Sequence, residues 1–216
     1  MSTPVEISPD PASHDPAKPP SLCFGGSFDP LHVGHLITAR LAAEAAGYAH
    51  VRLIVAGQSP FKGSSAASPA DRLAMCHTAV GDDAFFEVDD REVARDGPSY
   101  TADTASQLRD ALSQPPAWLI GADLLRGLPR WHRAAELLAA DGPLVRFVVM
   151  RRPGHAIDWP GLPAAVHHLA DAVVEVPQID VSSTLIRARV ARNLPIRHMV
   201  PDAVADHIAK HQLYRR

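Results

Sequence analysis

Cysteine is scarce in this chain: its 216 residues contain only Cys23 and Cys76, far apart and without C-x-x-C spacing. A disulfide framework is excluded, and each thiol reads as a small buried residue in a reducing, cytoplasmic setting. A basic excess is missing too. Lys and Arg number 21 against 24 Asp and Glu, a formal net charge of -3. Nucleic acid is therefore not an expected partner, while a local basic patch still suits a small anion. No apolar run reaches the about 18 residues of a membrane span. Residues 1–20 lack a basic start followed by an apolar core, so they do not read as a signal peptide. Their Pro, Ser and Asp content predicts a disordered leader. From residue 21 onward no repeat or long linker interrupts the chain, which predicts a single domain over residues 21–216.

What the chain does contain is an alternation of short apolar runs and longer helical patterns. Strands are predicted at 22–26, 51–57, 85–88, 117–121, 145–150 and 173–176. Several are β-branched and almost continuously apolar, as strands buried on both faces are. Helices are predicted at 33–47, 69–80, 101–113, a broken stretch 123–140, 163–170, 184–192 and 202–212. Ser68-Pro69 and Pro201-Asp202 mark two helix starts. The alternation predicts an α/β fold: a doubly wound, mostly parallel sheet with helices on both faces. Ligands bind such sheets beyond the carboxyl ends of the strands.

The first strand ends in Gly25-Gly26 and runs through Ser27, Phe28, Asp29 and Pro30 to His32, Gly34 and His35. Glycines permit a sharp turn and close approach of a ligand, and a helix N-terminus favours an anion. His32 lies just before the helix and His35 in its first turn, so both imidazoles can donate to phosphate oxygens in one pocket. Gly34 leaves room for a ligand against the backbone. The string is neither a Walker loop nor G-x-G-x-x-G, and H-x-x-H lacks the glutamate of a zinc protease helix.

A second candidate anion site is "VSSTLIRARV" at 181–190. Ser182, Ser183 and Thr184 are capping types whose hydroxyls and amides can bind phosphate. Arg187 stands one turn further on, in reach of the same anion. Lys62, in the loop after the second strand, is a third candidate cation. No Ser-His-Asp set is evident. A phosphate nucleophile needs no strong base, so positioning and charge stabilisation suffice.

G-S-F-D-P-x-H-x-G-H resembles the signature of the nucleotidyltransferase superfamily with the H-x-G-H motif, and V-S-S-T-x-I-R resembles its I-S-S-T-x-I-R element. The resemblance implies a Rossmann-like fold and transfer of a nucleoside monophosphate from a triphosphate with release of pyrophosphate. It implies that His32, His35, Lys62 and Arg187 are catalytic, and that Gly25, Gly26, Ser27, Phe28, Gly34, Ser182, Ser183 and Thr184 bind ATP. Mg²⁺ enters through the ATP phosphates, with no protein metal ligand.

"DRLAMC" (71–76), "GPSYTADT" (97–104), "GADLLRGLPRWH" (121–132) and "VPDAVADHIAKHQLY" (200–214) resemble elements of bacterial nicotinate-mononucleotide adenylyltransferases. The likeness runs from about Ser21 to Tyr214. It implies ATP and nicotinate mononucleotide as substrates, with Trp131 stacked on the pyridine ring and Tyr100 and Thr101 at its carboxylate. Asp123 is implied to order the adenylyl or ribose groups. Phe61 stands where that family usually has a histidine before the lysine, which bears on selectivity. Alternative acceptors are nicotinamide mononucleotide and phosphopantetheine, although phosphopantetheine enzymes usually carry Thr or Ser at the place of His32. Cytidylyl transfer fits the S-S-T segment less well. A silent nucleotide-binding regulator is the alternative from another class, and homo-oligomerisation is left open.

Two clusters receive plain readings. His207 and His211 have i,i+4 spacing but no evident third ligand, and read as surface histidines. Asp89, Asp90 and Glu92 read as a solvated loop.

Overall fold

A computed structural model describes residues 21–60, 65–112 and 114–215. Six strands form one sheet in the order β3-β2-β1-β4-β5-β6. They are β1 (Ser21–Gly26), β2 (His50–Val55), β3 (Phe86–Asp89), β4 (Ala117–Gly121), β5 (Arg146–Arg151) and β6 (Val173–Glu175). The helices are α1 (Val33–Ala45), α2 (Pro69–Val80), α3 (Arg91–Ala94), α4 (Thr101–Leu112), α5 (Ala134–Leu137), α6 (Ser183–Ala191) and α7 (Asp202–Lys210). The sheet is parallel, and its order reverses between β1 and β4, as in the doubly wound dinucleotide-binding folds. All five residues of β4 are buried, which explains its unbroken apolar sequence.

The chain divides into two compact units. The first comprises the start of β1, Ala39–Val51 and Tyr100–Gln178. Here β4 and β5 are in register from Ala117 opposite Arg146 to Gly121 opposite Met150, and β6 pairs with β5. The predicted helix at 123–140 is instead two 3-10 turns, Ala122–Leu124 and Leu128–Arg130, followed by α5. Pro129 lacks an amide for a longer ladder, and Gly127 weakens it further. The predicted helix at 163–170 is a 3-10 winding over Ala164–Ala172, entered from Pro163 and buried through Val166 and Leu169.

The second unit comprises Gly25–Thr38, Arg52–Ser99 and Ile179–Arg216. Helix α2 begins as expected: the Ser68 hydroxyl accepts from the Asp71 amide at 3.1 Å, and Pro69 occupies the first helical turn. Met75 joins Ile186, Ile196, Val200, Val204 and Ile208 in an apolar cluster that seats α6 and α7. Full burial of each such side chain stabilises by roughly 1.5–3 kcal/mol.

The acidic run is not a solvated loop. Asp89 closes β3 and is buried, accepting from the Arg91 guanidinium at 2.7 Å, with Arg52 of β2 3.9 Å away; Glu92 is buried inside α3. The two arginines make that burial tolerable. Cys23 and Cys76 are both reduced and buried, and burial pushes the Cys76 thiol up to about 12. Among the described residues no helix is long and apolar enough to cross a membrane.

Candidate active site

The loop leaving β1 is shaped by a ring lying over a glycine. Phe28 is buried with a left-handed φ of 44°, a conformation costly for a residue with a Cβ. Its ring covers Gly26 so closely that a Cβ there would sit 2.8 Å from it. The same ring meets His35 edge-on, with centroids 5.3 Å apart.

His32 and His35 stack face to face, centroids 3.6 Å apart and planes 25° from parallel. The His32 amide donates to Nδ1 of His35, and the His35 amide to Nδ1 of His32, each at 3.3 Å. An Nδ1 that accepts leaves the proton of a neutral imidazole on Nε2, so the bonding assigns both rings as Nε2–H donors. His32 is 6% exposed, and burial lowers its pKa to about 4. It is therefore neutral at physiological pH and acts as a hydrogen-bond donor without carrying charge. Over Gly34 the space is taken by the His32 ring itself: a Cβ there would lie 3.0 Å from Nδ1 of His32 and 3.4 Å from Ile179.

The second motif meets this loop. Ser183 donates from its hydroxyl to the Pro30 carbonyl at 2.9 Å, and Arg187 donates to the Asp29 carbonyl at 2.7 Å. Ser182 caps α6, its hydroxyl accepting from the Leu185 amide at 3.2 Å. The amides of Ser183 and Thr184 have no partner within the helix and open the α6 N-terminus to an anion. Arg187 also donates to the Thr184 hydroxyl at 3.3 Å. Among the described residues these contacts engage two of its five N–H groups, and a guanidinium fork of this kind can take a phosphate with the others. Lys62 and Phe61 lie outside the described residues.

Two organising residues escaped sequence reasoning. Asp29 is buried; its carboxylate accepts from the amides of Ala66 and Ala67, at 2.8 and 3.2 Å, and from the Tyr214 hydroxyl at 2.7 Å. Burial and this bond push the Tyr214 phenol up, which keeps it a donor. Arg72 is 1% exposed and donates to the carbonyls of Ser27, Ala56 and Gly57 at 2.6 to 2.8 Å. It fastens the ends of the loops after β1 and β2. A charged residue within the apolar pattern of α2 was the available signal for it.

In the first unit, residues 100–104 and the 121–132 segment also converge. Tyr100 precedes α4 and stacks on His132, with centroids 4.3 Å apart. His132 Nε2 lies 3.6 Å from Asp103, whose carboxylate also takes a 3.4 Å bond from Arg133. Arg133 clamps Glu136 through two nitrogens, at 2.7 and 2.6 Å. Trp131 and Thr101 are half-buried. His132 was not singled out from the sequence, though it adjoins Trp131. Asp123 stands exposed within the 3-10 turn after β4, and Gly121 leaves space for its carboxylate.

An order-reversing parallel sheet, with paired histidines and a serine- and arginine-bearing helix start after its strands, defines a nucleotidyltransferase of the doubly wound class. The cytidylyltransferase-like family model matches residues 23–189, and the chain belongs to that family. It groups there with the nicotinate-nucleotide adenylyltransferases. A probable nicotinate-nucleotide adenylyltransferase of Roseiflexus sp. (strain RS-1) is 43% identical over 195 residues, covering 89% of this chain and 96% of that protein. One of Aeromonas hydrophila subsp. hydrophila is 37% identical over 214 residues, covering 92% and 98%. The same fold occurs in Plasmodium falciparum nicotinic acid mononucleotide adenylyltransferase complexed with NaAD. That match has a TM-score of 0.69 at 17% identity and covers 90% of this chain and 97% of that one.

Proposed function

We propose that the protein transfers AMP from ATP to nicotinate mononucleotide, giving nicotinate adenine dinucleotide and pyrophosphate, as a cytoplasmic step of pyridine nucleotide synthesis carried out by residues 21–216 as one catalytic domain. The observation that carries the reading is the docking of Ser183 and Arg187 onto the Asp29-Pro30 backbone, beside the His32–His35 stack.

In this reading the second unit holds the triphosphate. The Gly25–Ser27 backbone, Phe28 and Gly34 shape the loop, and Nε2–H of His32 and His35 donate to the phosphoryl oxygens. The α6 amides and the Ser182, Ser183 and Thr184 segment receive the β- and γ-phosphates, with Arg187 and Lys62 supplying charge. A phosphate oxygen of the acceptor attacks the α-phosphorus in line. The bond to the bridging oxygen breaks, and pyrophosphate leaves with the electron pair. The acceptor oxygen is already anionic, so no base is required. Donors aimed at the α-phosphoryl group speed the step because charge spreads there in the transition state. Mg²⁺ arrives with ATP as its counter-ion.

The first unit supplies acceptor recognition. Trp131 presents an indole to the cationic pyridine, and the backbone at Tyr100 and Thr101 binds the carboxylate. Asp123 orders a ribose or the adenylyl group. The test is pyrophosphate release with nicotinate mononucleotide, its amide and phosphopantetheine as acceptors. Clear preference for the nicotinate form is expected. Equal or better use of the amide overturns the acceptor assignment, and no release with any acceptor overturns the enzyme.

A further inference from the structure

Helix α7 carries the two histidines read from sequence as surface residues, and the fold gives them a third partner. Asp71, in the first turn of α2, places Oδ1 3.3 Å from Nε2 of His207 and 3.8 Å from Nδ1 of His211. These three ligand atoms all lie within 4.8 Å of one another. The two imidazoles are stacked, 4.2 Å apart and 15° from parallel, with a nitrogen of each near the same oxygen; a modest turn of the rings brings their in-plane lone pairs onto one ion. The other carboxylate oxygen accepts from the Ser68 hydroxyl at 2.6 Å, which fixes the orientation of the group.

We propose that Asp71, His207 and His211 form a binding site for a borderline first-row divalent cation, zinc foremost, which clips α7 to α2. Without a metal the contact between His207 and Asp71 is a long hydrogen bond of 3.3 Å. A charged imidazolium–carboxylate pair closes to about 2.7–2.9 Å. Tetrahedral coordination with arms of about 2.0–2.1 Å places its ligand atoms roughly 3.3 Å apart; the Asp71–His207 separation is 3.3 Å, and the Asp71–His211 separation, at 3.8 Å, has to close slightly on the ion. Two imidazoles and one carboxylate oxygen suit Zn²⁺, Co²⁺ or Ni²⁺ and not the oxygen-seeking Mg²⁺ or Ca²⁺.

The surroundings fit such a clip. The His207 side chain is 12% exposed and that of His211 43%, so one flank is packed and the other admits water as a remaining ligand. Beneath lie Met75, Val204 and Ile208, the apolar seam between the two helices. The donor set is separate from the His32–His35 pair and Arg187, so the metal is assigned no part in phosphoryl transfer.

The test uses the tag-free full-length chain and zinc ion alone, measured by equilibrium dialysis and calorimetry, with Co²⁺ as a spectroscopic probe. One equivalent of Zn²⁺ should bind. At a hundredfold excess over Kd the thermal midpoint should rise by about 5–10 °C. Co²⁺ should give a visible ligand-field band. Asp71→Asn and His211→Gln should each weaken binding at least tenfold and abolish the band. His211 is exposed at the helix end, so His211→Gln should keep the metal-free midpoint and the rate of pyrophosphate release, which separates loss of the site from loss of fold. Absence of stoichiometric binding in the wild-type chain, or equal binding in His211→Gln, overturns the proposal.

Discussion

The two units to which recognition is assigned by the proposal are held together by different materials. In the second unit the loop proposed to receive phosphate is held by main chain: Arg72 grips three carbonyls, Asp29 grips two amides, and Ser183 and Arg187 each seize a carbonyl. In the first unit the Tyr100–His132 cluster is held by side chains, through the Asp103, Arg133 and Glu136 ion pairs at the surface. Exposed ion pairs contribute little to stability and rearrange readily. Buried charge-to-backbone bonds do neither. A phosphate is the same in every nucleotide and rewards a rigid receptor. An acceptor ring differs between substrates, and a receptor of side chains, as proposed for the Tyr100–His132 region, can be retuned without disturbing the loop proposed to perform the transfer.

The contrast can be broken at its rigid end first. His35→Ala should lower turnover on the order of 10²–10³-fold, the scale for losing one donor to transition-state charge. The circular dichroism spectrum should be unchanged, and a near-normal rate of pyrophosphate release would remove His35 from the chemistry. Next comes acid stability. The pKa of His32 is 6.5 in the unfolded chain and about 4 in the folded one. Between those values the unfolded chain binds more protons, so stability falls as pH drops from about 6.5 to 4 and is flat above. The loss should approach about 3 kcal/mol. Urea midpoints of wild type and His32→Asn across that range would show it, as a difference that shrinks with acid; parallel curves contradict it.

Arg187→Lys keeps the charge and loses the fork. Its cost should be about 10–100-fold in kcat/KM for ATP, the value of a charge-assisted bond, read from initial rates at varied ATP. At the adjustable end, Trp131→Ala should raise KM for the acceptor by roughly 2–10-fold, the range of an aromatic stacking contact, with KM for ATP unmoved. If both constants shift together, the division of labour between the two units is lost.

How much of this was legible in the sequence depended on distance along the chain. Strand β4 was placed to the residue and α2 likewise, because an apolar run and a Ser-Pro cap are local signals. The His32–His35 pair and the Ser182 cap were legible for the same reason. Asp29 was visible only as a letter in a motif, since its partners are residues 66, 67 and 214. The burial of Asp89 depends on Arg52, supplied by another strand, and a charge run alone does not disclose that. The i,i+4 histidines lacked a third ligand until the fold delivered Asp71, 136 positions earlier than His207. Residues 123–140 failed for a different reason: apolar periodicity survives across Gly127 and Pro129, while the hydrogen-bond ladder does not.

The Tyr214 hydroxyl reaches Asp29 across 185 positions of chain. On the ribosome, that aspartate emerges 185 residues before its phenol donor. The loop that Asp29 anchors is thus completed only after α7 has been made, and a nascent chain stalled short of Tyr214 carries its motifs without this bond.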